Sequence, residues 1–216
     1  LASPQSQLQA HAVNGQAVLV SYANYEPWMD RYLPSYGSVL VDSGAFSELT
    51  GNARVDVTEY CAWAGALPGV DAWAGLDDIT GDWRRSLANY KHGGFPTFHD
   101  TDPPELLDEL LTISAARGHW LGIGLIPPRE GKEDVLRSIL ARIPKGFHVH
   151  GWALRRYTHL PRLDSVDSTN WWRDAMKIRA DLPWLTYGET LELVVKRYQR
   201  WTRQLERPAD VPDLFA

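Results

Sequence analysis

Two aspartates stand at the ends of apolar runs. Asp42 closes VLVD at 39–42, and Asp167 closes LDSVD at 163–167. A carboxylate at the edge of an apolar interior is costly unless it is paired or hydrogen-bonded, so such a residue has a task. Two strand-end carboxylates on one sheet could face one pocket, an arrangement suited to attack at an anomeric carbon. One carboxylate would attack, the other would move protons, and negative charge would favour the cationic sugar transition state. Other polar residues fall at similar places: Asp77 and Asp78, His99 and Asp100, and His150. Gly122 and Gly124 would let a ligand approach the backbone closely. Asp78, Asp82 and Asp100 also read as helix caps or turn residues.

The histidines invite a metal reading. His148 and His150 are two apart on a strand-like run and share a face, and His99 could join them beside Asp42 or Asp167. There is no His-x-His on the first strand, so His150 reads instead as a hydrogen-bond partner or pocket wall. No metal or other cofactor is expected. Cys61, the one cysteine, sits in an apolar helical pattern and reads as a small buried filler. It can form neither an internal disulfide nor a thiolate zinc cage. Glycine-rich dinucleotide and phosphate-loop patterns are absent, and Ser43 lacks the GxSxG context of a nucleophile elbow.

The elements that would position these groups alternate along the chain. Apolar runs at Ala17–Tyr22, Ser38–Asp42, Val70–Leu76, Phe95–His99, Trp120–Ile126, Phe147–Trp152, Leu163–Asp167 and Leu182–Tyr187 predict strands. Between them, Val57–Leu67 (capped by Asp56), Asp82–His92, Pro104–Arg117, Lys132–Ile143, Asn170–Ile178 and Thr190–Leu205 predict helices, with short helical pieces at Tyr25–Leu33 and Leu154–His159. Eight strand–helix pairs of near-continuous apolar strands predict an α/β protein, a compact (β/α)8 TIM barrel of parallel strands with outer helices. A single domain over 1–216 is expected, with 1–16 a loosely packed lead-in.

Composition narrows the function. The chain has 216 residues, 44% of them hydrophobic and 23% charged, ordinary values for a globular protein. Its 27 acidic and 22 basic residues give a formal charge of -5, which argues against indiscriminate nucleic-acid binding. Ten tryptophans are more than usual, and an aromatic plane beside a polar turn can stack on a base or sugar. No run of eighteen apolar residues offers a membrane span, and the N-terminal stretch does not read as a signal peptide. The expected location is cytoplasmic, the host cytoplasm for a phage-encoded chain.

The segments DSGAFS at 42–47 and LDSVDSTNW at 163–171 resemble paired motifs of the tRNA-guanine transglycosylases. They are similar in particular to those of small, often phage-encoded relatives and of the DNA-acting 7-deazaguanine transglycosylases. LDDITGD at 76–82, GIGLIP at 122–127 and FHVHGWA at 147–153 follow the same pattern. The resemblance implies a (β/α)8 barrel that exchanges guanine in nucleic acid for a 7-deazaguanine base through a covalent aspartyl-glycosyl intermediate. It implies Asp167 as nucleophile, Asp42 as general base, and Asp77 or Asp78 reading the base edge. Ser43, Gly44, Phe46, His99, Gly122, Gly124, His150, Gly151, Ser168 and Trp171 complete the candidate substrate-binding set. The chain departs from the family in lacking its three-cysteine zinc subdomain and in carrying Ser47 where the motif has Gln. Those departures favour DNA over tRNA as the polymer, with a free 7-deazaguanine-type base as the second partner; a homodimer or a partner subunit stays open. Two alternatives are a hydrolase of N-glycosidic bonds in a nucleoside or nucleotide, and a non-catalytic barrel that binds a base or a partner protein.

Overall fold

A computed structural model describes residues 4–46, 54–126, 131–167 and 170–205, with side chains omitted at 170 and 201–205. Ser47, Pro127 and Ser168 therefore lie outside the described residues, and so do the parts of the expected motifs that contain them. The chain divides into two compact units, Leu1–Ser168 and Thr169–Ala216.

Among the described residues the first unit carries seven short parallel strands. They are β1 (Ala17–Ser21), β2 (Ser38–Asp42), β3 (Ala72–Trp73), β4 (Thr97–His99), β5 (Trp120–Gly124), β6 (His148–Gly151) and β7 (Ser165–Val166). The helices of this unit are α1 (Gln7–Ala12), α2 (Val57–Ala66), α3 (Trp83–Tyr90), α4 (Leu106–Ala115) and α5 (Glu133–Arg142). Strands β1-β2-β3 form one sheet and β4-β5-β6-β7 another. A single parallel bridge, Ala74 to Phe95, lies at the seam between them. Phe95 N–H donates to Trp73 O (2.9 Å) and Gly75 N–H to Phe95 O (2.8 Å). Glycine is required at the seam: Gly94 has φ +74°, and a Cβ there would lie 2.4 Å from Gly75 N.

Both faces of the strands are covered, as parallel sheets require. On one side, Leu107 and Leu110 of α4 and Leu136 and Leu140 of α5 pack with Phe98, Leu121, Ile123 and Val149 of β4–β6. Their i, i+3, i+4 spacing gives each helix one apolar face. On the other side, Leu19, Leu40, Ala72, Ala74 and Phe95 gather with Trp120 and Trp152. Phe95 and Trp152 stack with ring centroids 6.2 Å apart. Asp56 caps α2 by accepting from Thr58 N (2.9 Å) and Glu59 N (3.0 Å), and Asp82 caps α3 in the same way.

The second unit is a helix pair, α6 (Asn170–Asp181) and α7 (Tyr187–Leu205). Tyr198 Oη donates to Asp174 Oδ2 at 2.8 Å, tying the two together.

This architecture corrects the expected one. The strands described are seven, in sheets of three and four, and they do not form a single closed eight-stranded barrel. The predicted eighth strand, Leu182–Tyr187, is a turn. Pro183 has no N–H to give a ladder, and Thr186 with Glu189 forms a reciprocal capping box that starts α7 instead. Trp184, expected inside that strand, is 74% exposed. The transglycosylase resemblance requires the closed barrel and fails with it. So do the activities drawn from it: base exchange, the aspartyl-glycosyl intermediate, the glycosidic hydrolase and the base-binding barrel subunit. In the N-terminal stretch Ser6 caps α1, and Ala10 and Val13 are buried.

Candidate functional site

Strand periodicity places the site. Leu19 of β1 and Leu40 of β2 face the shared apolar cluster, so Ser21 and Asp42, two residues on, face the same side at the strand ends. Ser21 pairs in register with Asp42, and its hydroxyl donates to the carboxylate. In the second sheet His99 pairs with Gly124, Gly122 with His150, and His150 with Ser165. A Cβ on Gly124 would stand 2.5 Å from His99 Cδ2, so this glycine leaves space for the imidazole.

His99 is held between two carboxylates. Its Nε2 lies 3.1 Å from Asp77 Oδ2 and its Nδ1 3.7 Å from Asp102 Oδ2. The same Asp102 oxygen accepts the His99 backbone N–H at 2.7 Å. Burial works against a charged ring, but the bonds and charges of Asp102 and Asp77 outweigh it and raise His99 to about 10. It is a histidinium at neutral pH.

Asp42 behaves in the opposite way. Burial pushes its carboxyl up to about 6, against the backbone N–H of Gly44 and the Ser21 hydroxyl, and the charges of Asp77 and Asp167 push in the same direction as burial. Asp77, in the loop after β3, and Asp167, after β7, thus both act on Asp42 at the end of β2. Asp167 is held below its usual range: burial opposes its ionisation, but the His150 ring and the Ala153 N–H outweigh burial. That N–H donates to Asp167 Oδ1 at 2.6 Å, from a residue in the left-handed region at φ +53°. His150 is fully buried, and burial lowers its basicity. Its Nδ1 is 2.9 Å from Ser165 Oγ, and its Nε2, 3.6 Å from Asp167 Oδ1, has no hydrogen-bond partner. Ser43, next to Asp42, is also buried with an unpartnered hydroxyl.

Of the sequence candidates, Asp42, Asp77, Asp167, His99, His150 and Gly124 therefore come together. Gly44 supports Asp42 through its N–H, at φ +82° with Ala23 Cβ 2.5 Å from where its own Cβ would be. Others have structural work. Asp78 pairs with Arg85 at 3.0 Å and accepts Thr80 N–H at 2.8 Å. Gly122 makes room for the Trp152 indole, whose Nε1 donates to Thr97 Oγ1 at 3.0 Å, and Gly151 for Leu154 and Leu163. Asp100 accepts Ile126 N–H and pairs with Lys132. Phe46 is 65% exposed, and Trp171 is buried on α6 of the second unit. The sequence reading missed Ser21, Asp102 and Ser165. The two serines share the parity of Asp42 and Asp167 on their strands, and that signal could have found them.

No group of three His, Cys, Asp or Glu among the described residues is arranged to hold a metal ion. A separate open cleft of about 490 Å³ is lined by Asp71, Ala72, Trp73, Phe95, Arg117 and Trp120, among others. Those residues lie in and just before β3, β4 and β5, whereas Asp42 ends β2 and Asp77 and Asp167 follow β3 and β7. Among the described residues no helix is long and apolar enough to cross a membrane. No protein-family model matches the chain, and neither a curated protein nor a solved structure matches it.

Proposed function

We propose that the strand ends of the first unit form a site for a small ligand rich in hydrogen-bond donors, with which Asp42 exchanges a proton. The observation that carries this reading is the split between two half-buried carboxylates, with the charge of Asp167 among those that raise Asp42. Asp42 is raised to about 6 while Asp167 is held low. Environments that drive two carboxyl groups apart assign one as acid and the other as ionised acceptor, the arrangement general acid–base chemistry uses. A purely structural cluster would neutralise its carboxylates internally. His99 does so for Asp77 and Asp102, whereas the donors to Asp42 are the neutral Ser21 hydroxyl and Gly44 N–H, and the ring beside Asp167 is a histidine whose basicity burial lowers. The unpartnered His150 Nε2 beside Asp167 adds a polar atom without a bond of its own. A ligand carrying amino, amidine or several hydroxyl groups would supply the donors these oxygens lack.

The test is a carboxyl ¹³C titration of Asp42 and Asp167 with and without a panel of amines, amidines and polyols. A donor-rich ligand favours the ionised form, so binding should pull Asp42 below about 6, and Asp42→Asn should weaken it. If no member of the panel moves either resonance, the reading fails.

A further inference from the structure

Ser165 Oγ lies 2.9 Å from His148 Nε2 and 2.9 Å from His150 Nδ1. His150 Nε2 in turn lies 3.6 Å from Asp167 Oδ1. The three polar residues on β6 and β7 share one face because each is two residues from the next on its strand or pairs with it in register. A serine hydroxyl has one hydrogen, so it can donate to only one of the two imidazoles and must accept from the other. If Ser165 donated to His148, His150 Nδ1 would have to be the donor, leaving a bare Nε2 lone pair against an ionised carboxylate. The opposite arrangement gives each of the two 2.9 Å contacts one donor and one acceptor and turns the Nε2 hydrogen, 3.6 Å from the carboxylate and not hydrogen-bonded at rest, toward Asp167. His148 Nε2–H donates to Ser165, Ser165 donates to His150 Nδ1, and His150 Nε2–H faces Asp167.

We propose that His148, Ser165 and His150 form a proton relay ending on Asp167, entered at the half-buried His148 at the start of β6. The proposal rests on the reading of the strand ends as a proton-exchanging site. A proton taken up from water at His148 Nδ1 is matched by passage of the Nε2 hydrogen to Ser165. The serine's own hydrogen passes to His150 Nδ1, and the His150 Nε2 hydrogen passes to Asp167. Every intermediate residue gains one proton and loses one, at different nitrogens in the two rings, and the carboxylate becomes the neutral acid. Both rings finish as the other tautomer, and from that state the chain runs only outward. The inward passage protonates Asp167 only transiently and leaves both rings set to receive, and the following outward passage clears a proton that Asp167 takes as the ionised acceptor. The groups facing the relay from neighbouring elements are Trp120 of β5, whose ring centroid is 3.8 Å from that of His148, the Trp152 ring against His150, and the Asp164 carboxylate near His148.

The experiment needs no ligand, so its outcome is separate from that of the titration above. Imidazole ¹⁵N spectra of the whole chain should show both His148 and His150 neutral and protonated at Nε2. Solvent exchange of the His150 Nε2–H should slow by about tenfold or more in Ser165→Ala, where both hydrogen bonds of the serine are lost, and Ser165→Thr should restore it. His150 protonated at Nδ1 with a bare Nε2 would overturn the proposal. So would an exchange rate unchanged in Ser165→Ala, which would mean that protons reach His150 from the ligand side alone.

Discussion

His99 Nε2 lies 3.1 Å from Asp77 Oδ2, so an ion pair joins the end of the first sheet to the beginning of the second. Asp102 completes a triad with one cation between two anions, in which His99 and Asp102 are buried and Asp77 is partly so. Removing the cation leaves two carboxylates facing each other without compensation. His99→Gln should therefore cost about 3–5 kcal/mol of stability, read by urea unfolding at neutral pH. A loss below ~1 kcal/mol would show that the triad is not buried as described.

The same histidine fixes a pH dependence. Its folded value, about 10, stands above the ordinary 6.5. Its contribution is complete below pH 6.5 and is lost as pH rises through about 10. Denaturation midpoints between pH 6.5 and 10 should fall in the wild type and stay flatter in His99→Gln.

Asp42 has a raised value too, and the sign again gives stability at low pH. Its contribution is complete below the ordinary 3.8 and is lost as pH rises through about 6. Above that pH the buried charge destabilises the fold, so Asp42→Asn should stabilise the protein at pH 8 by about 2–3 kcal/mol. The gain should vanish near pH 3.5. A variant less stable than wild type at pH 8 would mean that Asp42 has a cationic partner.

Gly124→Ala places a Cβ 2.5 Å from His99 Cδ2 and 2.9 Å from Nε2. The ring cannot move without breaking its bonds to Asp77, so the change should cost about 1–3 kcal/mol and lower the His99 titration point. Thermal unfolding and imidazole NMR read the two effects separately.

In the second unit, Thr186→Ala removes the hydroxyl that accepts Glu189 N–H and donates to Glu189 Oε2. The expected loss is about 1 kcal/mol, confined to the exchange protection of the first turn of α7.

Much of the fold was legible locally. The apolar runs ending at Asp42 and His99 are strands at those positions, and Asp56 and Asp82 cap helices because a carboxylate two or three residues ahead can reach their free N–H groups. Leu182–Tyr187 misled because its apolar count resembles a strand, while Pro183 and the Thr186–Glu189 box favour a turn into a helix. The motif likeness misled for a related reason. Short strand-end segments record local geometry, and local geometry does not say how many strands pair or whether the sheet closes.

By itself the sequence determined the alternation of elements, their caps, and the parity that aims Ser21, Asp42, His99 and His150 to one side of their strands. Only the tertiary structure decided that the strands split into sheets of three and four. Tertiary structure also decided that Asp102 joins His99, and that Ser165 stands between two histidines. Strand pairing, burial and the electrostatic coupling of Asp42 to Asp77 and Asp167 depend on residues far apart in the chain. Spacing along the sequence carries no record of the distance or the dielectric between them.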